Sequence, residues 1–225
     1  MGRYERNHPA ISENEQEKLQ KSRVFVAGCG GLGGYILEFL VRIGVGHITA
    51  CDGDTFAPSN LNRQLLSAVP LLGVSKAKTA AMRAADVNPE VEVSARECFI
   101  TEENAAELIS GHDLVIDALD NGNARHILAK EAKKQGIPMV SGGISGWAGR
   151  VFVLMPEDEI PDYLWLGPAG TMRGNLGFTA ACCASVQAAE AVKVLIGRGE
   201  ILHGRMLEFD LKTSEFEDIP LDLTK

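Results

Sequence analysis

Several side chains in this sequence could handle the phosphates of a nucleotide, and they follow one another along the chain. A glycine cluster comes first: Gly28, Gly30, Gly31, Gly33 and Gly34 in VAGCGGLGG. Gly28, Gly30 and Gly33 fit the spacing G-x-G-x-x-G. The first glycine permits a tight turn, the second lets a phosphate approach the backbone, and the third lets a helix pack closely on a strand. Phosphate would then meet unpaired N–H groups at a helix N-terminus, where the peptide dipoles also favour negative charge. Asp52 ends the next apolar run and is placed to accept hydrogen bonds from ribose hydroxyls. A glycine-rich turn that binds nothing is the alternative, and the acid at this distance argues against it.

Cations and a further acid come next. Arg63 could meet phosphate oxygens bidentately through its guanidinium. Lys76 opens an expected helix, where its charge opposes the dipole unless it points at bound phosphate; a solvated surface lysine is the bland reading. Asp120 could ligate Mg²⁺, which usually takes one or two carboxylates together with phosphate oxygens. It could equally cap the helix that follows, and so could Asn121. The five cysteines and five histidines are scattered and give no transition-metal spacing.

The elements that must position these residues follow from the apolar pattern. Arg23 to Asp52 reads as strand, turn, helix, strand, with Leu32, Ile36, Leu37, Leu40 and Val41 on the buried helix face and Gly44 ending it. Before it, Ser12 to Lys21 is an expected helix with Ser12 and Glu15 as a capping box. Gly53 to Gly73 is a long loop carrying Asp54, Asn60, Asn62, Arg63 and Gln64, and loops of this length are more often functional than idle. Ser75 to Val87 reads as a helix, Val91 to Phe99 as a strand, and Thr101 as the cap of a helix ending at Gly111. Leu114 to Leu119 is a strand and Asn123 to Gln135 a helix closed by Gly136. A strand at Ile137 to Ser141 leads into GGISGW, expected as a loop, and Arg150 to Met155 is another apolar run. After a second long loop, Leu176 to Ile196 reads as an Ala-rich helix. Arg205 to Leu211 and Glu215 to Leu221 alternate as a hairpin.

Strands alternating with helices, and apolar on both faces, predict an α/β fold. It is Rossmann-like: a mostly parallel sheet covered by helices on both faces, with a C-terminal antiparallel hairpin. In such a sheet ligands bind at the carboxyl ends of strands. The Gly28–Gly34 turn, the Asp52–Arg63 loop and Asp120-Asn121 all fall there. One domain over 1–225 is expected, with a helical arm at 1–22, a crossover loop at 156–177 and the hairpin at 205–221.

Composition narrows the function. The 225 residues are 45% hydrophobic and 23% charged, ordinary for a globular protein, and the net charge of −8 disfavours nucleic acid as a partner. No apolar run approaches the roughly 20 residues that span a bilayer. The N-terminal MGRYERNHPA has no signal-peptide core, and Arg6 stands where myristoylation wants Ser or Thr, so a cytoplasmic protein is expected.

The ordered set GCGGLG, Asp52 with Asp54, SNLNRQ at 59–64, Lys76 in GVSKAK, and Asp120-Asn121 followed by Arg125 resembles the ThiF/MoeB/HesA family, bacterial relatives of the ubiquitin-activating enzymes. The resemblance implies an enzyme that uses ATP and Mg²⁺ to adenylate the C-terminal glycine of a small ubiquitin-fold sulfur carrier, similar to ThiS or MoaD, with release of pyrophosphate. By motif it assigns Gly31 and its neighbours to the phosphates and Asp52 to the ribose. It assigns Asn60, Arg63 and Lys76 to the triphosphate, with Asp54 and Gln64 among the nucleotide-binding set. Asp120 would position Mg²⁺, with Asn121 close to the nucleotide. Arg6, in RYERN, matches a family arginine that reaches into the other subunit's site, which implies a homodimer; Asn7 stands where the family usually has Gln.

Two departures from the family pattern matter. The two C-x-x-C pairs that hold a structural zinc in MoeB-type members are missing, so no zinc is expected, and packing of Tyr163, Trp165 and the hairpin is expected to hold that region. The crossover loop also lacks a cysteine for thioester or persulfide chemistry. Cys182 and Cys183, among alanines on an expected helix, read as core packing, as does Cys29. Within the family, a tRNA threonylcarbamoyladenosine dehydratase is the alternative, disfavoured by the charge. A nicotinamide-dependent oxidoreductase would leave Arg63, Lys76 and Asp120 unused. An inactive scaffold would not need to retain all three.

Overall fold

The computed structural model describes residues 2–165 and 174–223. Its strands form one sheet in which β1 (Arg23–Ala27), β2 (His47–Cys51), β3 (Glu92–Arg96), β4 (Leu114–Asp117) and β5 (Met139–Ser145) run parallel. β6 (Ala148–Leu154), β7 (Arg205–Asp210) and β8 (Glu215–Pro220) extend it antiparallel. The strand order is β3-β2-β1-β4-β5-β6-β7-β8. The chain winds outward from β1 in one direction to β2 and β3, then returns to the other side for β4. That reversal leaves a crevice at the carboxyl ends of β1 and β4, where an open sheet of this kind binds ligands.

Helices cover both faces. On one face α2 (Gly33–Ile43), α3 (Lys76–Val87) and α6 (Gly177–Ile196) pack on Val24, Val26, Ile48 and Val151, with Ile36, Leu40, Ala80, Ala180 and Ala184 buried between. On the other, α4 (Ala105–Ile109) and α5 (Gly122–Gln135) pack on Phe25, Val115 and Phe152 through Ile109, Leu128 and Ala132. Each fully buried Leu, Ile or Phe contributes about 1.5–3 kcal/mol. The N-terminal arm adds α1 (Glu13–Lys21), and the expected capping box is present: Ser12 Oγ accepts from the Glu15 N–H while Glu15 Oε2 accepts from the Ser12 N–H at 2.8 Å. Gly44 and Gly136 close their helices in the left-handed conformation, as expected.

Three expectations need correction and one open alternative is settled. GGISGW is not a loop: β5 runs on to Ser145 and pairs antiparallel with β6 from Met139↔Leu154 to Ser145↔Ala148. The antiparallel ladder satisfies backbone groups that the parallel neighbour β4, ending at Asp117, cannot reach. Thr101 is not the cap of α4. Asn104 stands there, and its Oδ1 accepts from the Thr101 N–H at 2.9 Å instead. Of the two candidates before α5, Asn121 is the cap and Asp120 is not. Finally, α6 is long and apolar enough by length and composition to cross a membrane, but half of it is buried within the fold. Its alanines seat it against β5, β6 and α2, with Glu190 and Lys193 paired on its last turns.

Candidate nucleotide site

The glycine turn leaves β1 with Gly28 at φ +91°, a conformation that side chains disfavour. A Cβ on Gly28 would lie 2.7 Å from the Ala118 carbonyl oxygen, and one on Gly33 would lie 1.8 Å from the Gly28 carbonyl oxygen. Only bare backbone lets α2 start this close to the turn. Asp52, just beyond β2, fixes it from the side: Oδ2 accepts from the Cys29 N–H and Oδ1 from the Asp54 N–H, both at 2.8 Å. Burial pushes the Asp52 carboxyl above the ordinary range, and those two N–H groups together with Lys76 oppose the shift.

The loop carrying SNLNRQ folds back onto this turn. Arg63 Cγ lies 3.8 Å from where a Gly31 Cβ would stand, and Gln64 Nε2 lies 3.4 Å from the same point on Gly30. Asn60 Oδ1 accepts from the Ala57 N–H at 2.9 Å and shapes the short turn Pro58–Asn60. The Arg63 guanidinium donates to the Ser59 carbonyl at 2.8 Å and to Asn62 Oδ1 at 2.9 Å. Gln64 is buried and its Oε1 has no partner. Lys76 is also buried, with Nζ 3.0 Å from Asp54 Oδ2.

From β4 comes the turn Ala118–Asn121. Asn121 Oδ1 accepts from the Asn123 and Ala124 N–H groups at 2.9 and 3.2 Å. Asp120 is exposed beside it. Gly28, Gly30, Gly31, Gly33, Asp52, Asp54, Asn60, Arg63, Gln64, Lys76, Asp120 and Asn121 therefore gather on the carboxyl edge around β1, as three separate stretches of chain.

A model of the ThiF family matches residues 4–225. The chain belongs to the ThiF family. It is 35% identical over 224 residues to the SAMP-activating enzyme E1 of Haloferax volcanii, covering 93% of this chain and 80% of that protein. It is 34% identical over 237 residues to the sulfur carrier protein adenylyltransferase of Thermus thermophilus, covering 97% and 86%. Among solved structures, E. coli MccB with ATP superimposes with a TM-score of 0.87 at 18% identity, over 99% of this chain and 72% of that one.

Arg6 stands apart from the gathered residues. It lies in the short turn Glu5–Asn7 of the arm, which packs where α2 and α3 end: Tyr4 lies against Gly44, and Arg3 donates to the Val87 carbonyl at 2.8 Å. That is the amino edge of the parallel strands, so one chain does not bring Arg6 to its own glycine turn. The expected packing after Met155 is present. Tyr163 Oη donates to the Asp222 carbonyl at 3.1 Å, Leu164 is buried, and Trp165 lies edge-on to His126. Residues 166–173 of the expected crossover loop 156–177 lie outside the described residues. Cys183 is buried, with burial pushing its thiol up to about 12, and Cys29 is shifted upward for the same reason. Both are poor nucleophiles, since the thiolate is the reactive form.

Three residues that the sequence did not single out, Asp117, Ser141 and Gln187, lie behind the Ala118–Asn121 turn, beside Arg125 and Trp165, which it did. Asp117 is fully buried at the end of β4. Around it stand Ser141 of β5, Arg125 of α5, Gln187 of α6 and Trp165. A carboxylate ending an apolar strand was the available signal.

Proposed function

We propose that this chain is an ATP-dependent adenylyltransferase that activates the C-terminal glycine carboxylate of a small ubiquitin-fold sulfur carrier. The observation that carries this reading is the fold-back of the SNLNRQ loop onto the glycine turn. It sets Arg63 beside the glycine turn, and with Lys76 from α3 and Asp120 from the turn after β4 on the same edge this supports a site whose phosphates are the reacting part, since a cofactor-binding site would need none of the three. A nicotinamide-dependent oxidoreductase would leave Arg63, Lys76 and Asp120 without a use. The names of the two relatives above agree with activation of a carrier protein.

The chemistry is positioning and charge neutralisation. The glycine-turn N–H groups and the α2 N-terminus cradle the phosphates while Asp52 takes the ribose. Asn60, Gln64 and Asn121 border the nucleotide. The carrier carboxylate attacks the α-phosphorus and pyrophosphate leaves. Arg63 swings from Ser59 and Asn62 to the triphosphate, and Lys76 shares its charge between Asp54 and the phosphates. No protein nucleophile is required, in keeping with the buried, upward-shifted thiols of Cys29 and Cys183.

The fit of Mg²⁺ rests on Asp120. Its carboxylate makes no hydrogen bond among the described residues, and no group of three or more His, Cys, Asp or Glu side chains is gathered there for a transition metal. One free carboxylate completed by phosphate oxygens and water suits Mg²⁺. When bound, Mg²⁺ supplies positive charge to the phosphates. Arg6, remote from its own site, is assigned to the site of a second copy in a homodimer. A reaction that consumes ATP agrees with the expected cytoplasmic location.

The test is ATP–pyrophosphate exchange. Exchange is expected only when a carrier ending in Gly-Gly is added, and Arg63→Ala or Asp120→Ala should abolish it. Absence of exchange with every such carrier, alongside binding of reduced nicotinamide cofactor, overturns the reading.

A further inference from the structure

The backbone around Asp120 is held from behind by a buried network. Asp117 Oδ1 accepts from the Leu119 N–H at 3.0 Å. The Leu119 carbonyl accepts from the Arg125 guanidinium through both Nε, at 2.8 Å, and Nη2. Both polar groups of the Leu119 peptide are thus bound by one ion pair, since Arg125 Nε also lies 3.6 Å from Asp117 Oδ1. On the far side of Asp120, Asn121 is fixed as the α5 cap, and its carbonyl accepts from the Arg125 N–H at 3.1 Å. Asp120 is therefore an exposed carboxylate between two immobilised neighbours. The same turn forms the wall of the glycine turn, through the Ala118 carbonyl against Gly28.

The network continues away from the site. Asp117 Oδ2 accepts from Ser141 Oγ at 2.6 Å, and Ser141 Oγ accepts from Trp165 Nε1 at 3.1 Å. The donor sense runs one way, indole to hydroxyl to carboxylate. Gln187 donates to the Asp117 main-chain carbonyl at 2.8 Å from the opposite face. A fully buried carboxylate is costly unless paired and hydrogen-bonded. Packing alone would be served as well by an apolar residue here, as at Val115 on the same strand face.

We propose that Asp117 and Arg125 are positioning residues that aim the Asp120 carboxylate at the nucleotide phosphates, with Ser141 and Trp165 holding Asp117 in register. This rests on the adenylyltransferase reading for what Asp120 does, but not for how the turn is held. Asp117 touches no substrate in this scheme and acts through the Leu119 peptide.

The experiment is calorimetric titration of the full chain with ATP, with and without Mg²⁺, and it needs no carrier. In the wild type Mg²⁺ should tighten ATP binding, and Asp120→Ala should remove that gain. Asp117→Asn keeps the size but turns an N–H donor toward Ser141 or Arg125. It should cut the Mg²⁺-dependent gain about tenfold, the scale on which residues supporting a metal ligand act, while leaving affinity for metal-free ATP unchanged. Arg125→Lys, which cannot span the Leu119 carbonyl with two donors, should do the same. In the exchange assay the loss should appear in kcat with KM for carrier unchanged. Should Asp117→Asn fail to fold, Ser141→Ala and Trp165→Phe decide, with a smaller loss of the same kind expected. A folded Asp117→Asn, or folded outer variants, with the full Mg²⁺ gain overturns the proposal. Wild type lacking carrier-dependent exchange, with the Mg²⁺ effects as described, overturns the adenylyltransferase reading instead.

Discussion

The ammonium of Lys76 lies 3.0 Å from the carboxylate of Asp54, and the two differ sharply in exposure: the lysine side chain is 8% exposed and the aspartate 56%. Lys76 is also the first residue of α3, where a cation opposes the peptide dipoles. A buried cation at the wrong end of a helix, paired only with a half-exposed acid, is kept for something other than stability. Replacing it with methionine, of similar length, should therefore leave the fold as stable as wild type or more so, since an apolar side chain commonly replaces a buried ion-pair member without net cost when the remaining partner, here the half-exposed Asp54, stays hydrated. Exchange should fall by about 10²–10³, the usual loss when one preorganised charge donor is removed. Thermal unfolding and exchange on the same preparation check both halves.

The glycines are predicted to differ among themselves. Gly33→Ala forces a Cβ to within 1.8 Å of the Gly28 carbonyl oxygen, which only backbone movement can relieve. Overpacking of this kind costs about 1–3 kcal/mol or more, and ATP binding should be lost with it. At Gly31 the added Cβ meets Arg63 Cγ at 3.8 Å, an ordinary contact, so the Gly31→Ala fold should hold. Denaturant titration of the two variants distinguishes them. Equal loss of stability in both would contradict this account of the turn.

The start of α1 titrates. The Glu15 carboxyl is pushed down to about 2, first by the Ser12 N–H and hydroxyl and then by Arg198, whose Nε lies 2.5 Å from Oε1. A carboxyl held lower in the folded than in the unfolded chain stabilises the fold above its unfolded value, about 4.3. That contribution is lost as pH falls toward the folded value. Glu15→Gln should lower Tm at pH 7, and the gap to wild type should close between pH 4 and 2. A gap independent of pH in melting curves would show that the cap acts without its charge.

Much of this architecture is written locally. The spacing of Gly28, Gly30 and Gly33, the Ser12–Glu15 box and the helix-ending Gly44 and Gly136 each depend on residues a few positions apart. Short-range sterics and hydrogen bonds therefore suffice to read them. The SNLNRQ loop was legible as a polar stretch, because its residue types are unusual between an apolar strand and a helical pattern. Local rules failed where a distant partner competed. GGISGW becomes strand because β6 returns alongside it, whereas Thr101 yields the cap to Asn104, three residues on, in a choice between two local candidates.

The sequence alone determined the α/β order, the glycine turn and the phosphate-binding residue types, since composition and period carry them. Only the tertiary structure decided that Asp117, Arg125, Ser141 and Trp165 meet behind Asp120. It also decided that Arg6 lies on the opposite edge from the glycine turn. Asp117 and Ser141 are 24 residues apart and become neighbours only because β5 docks beside β4. Strand order is set by how the apolar faces of α5 and α6 are buried against the whole sheet, and no local spacing encodes that balance.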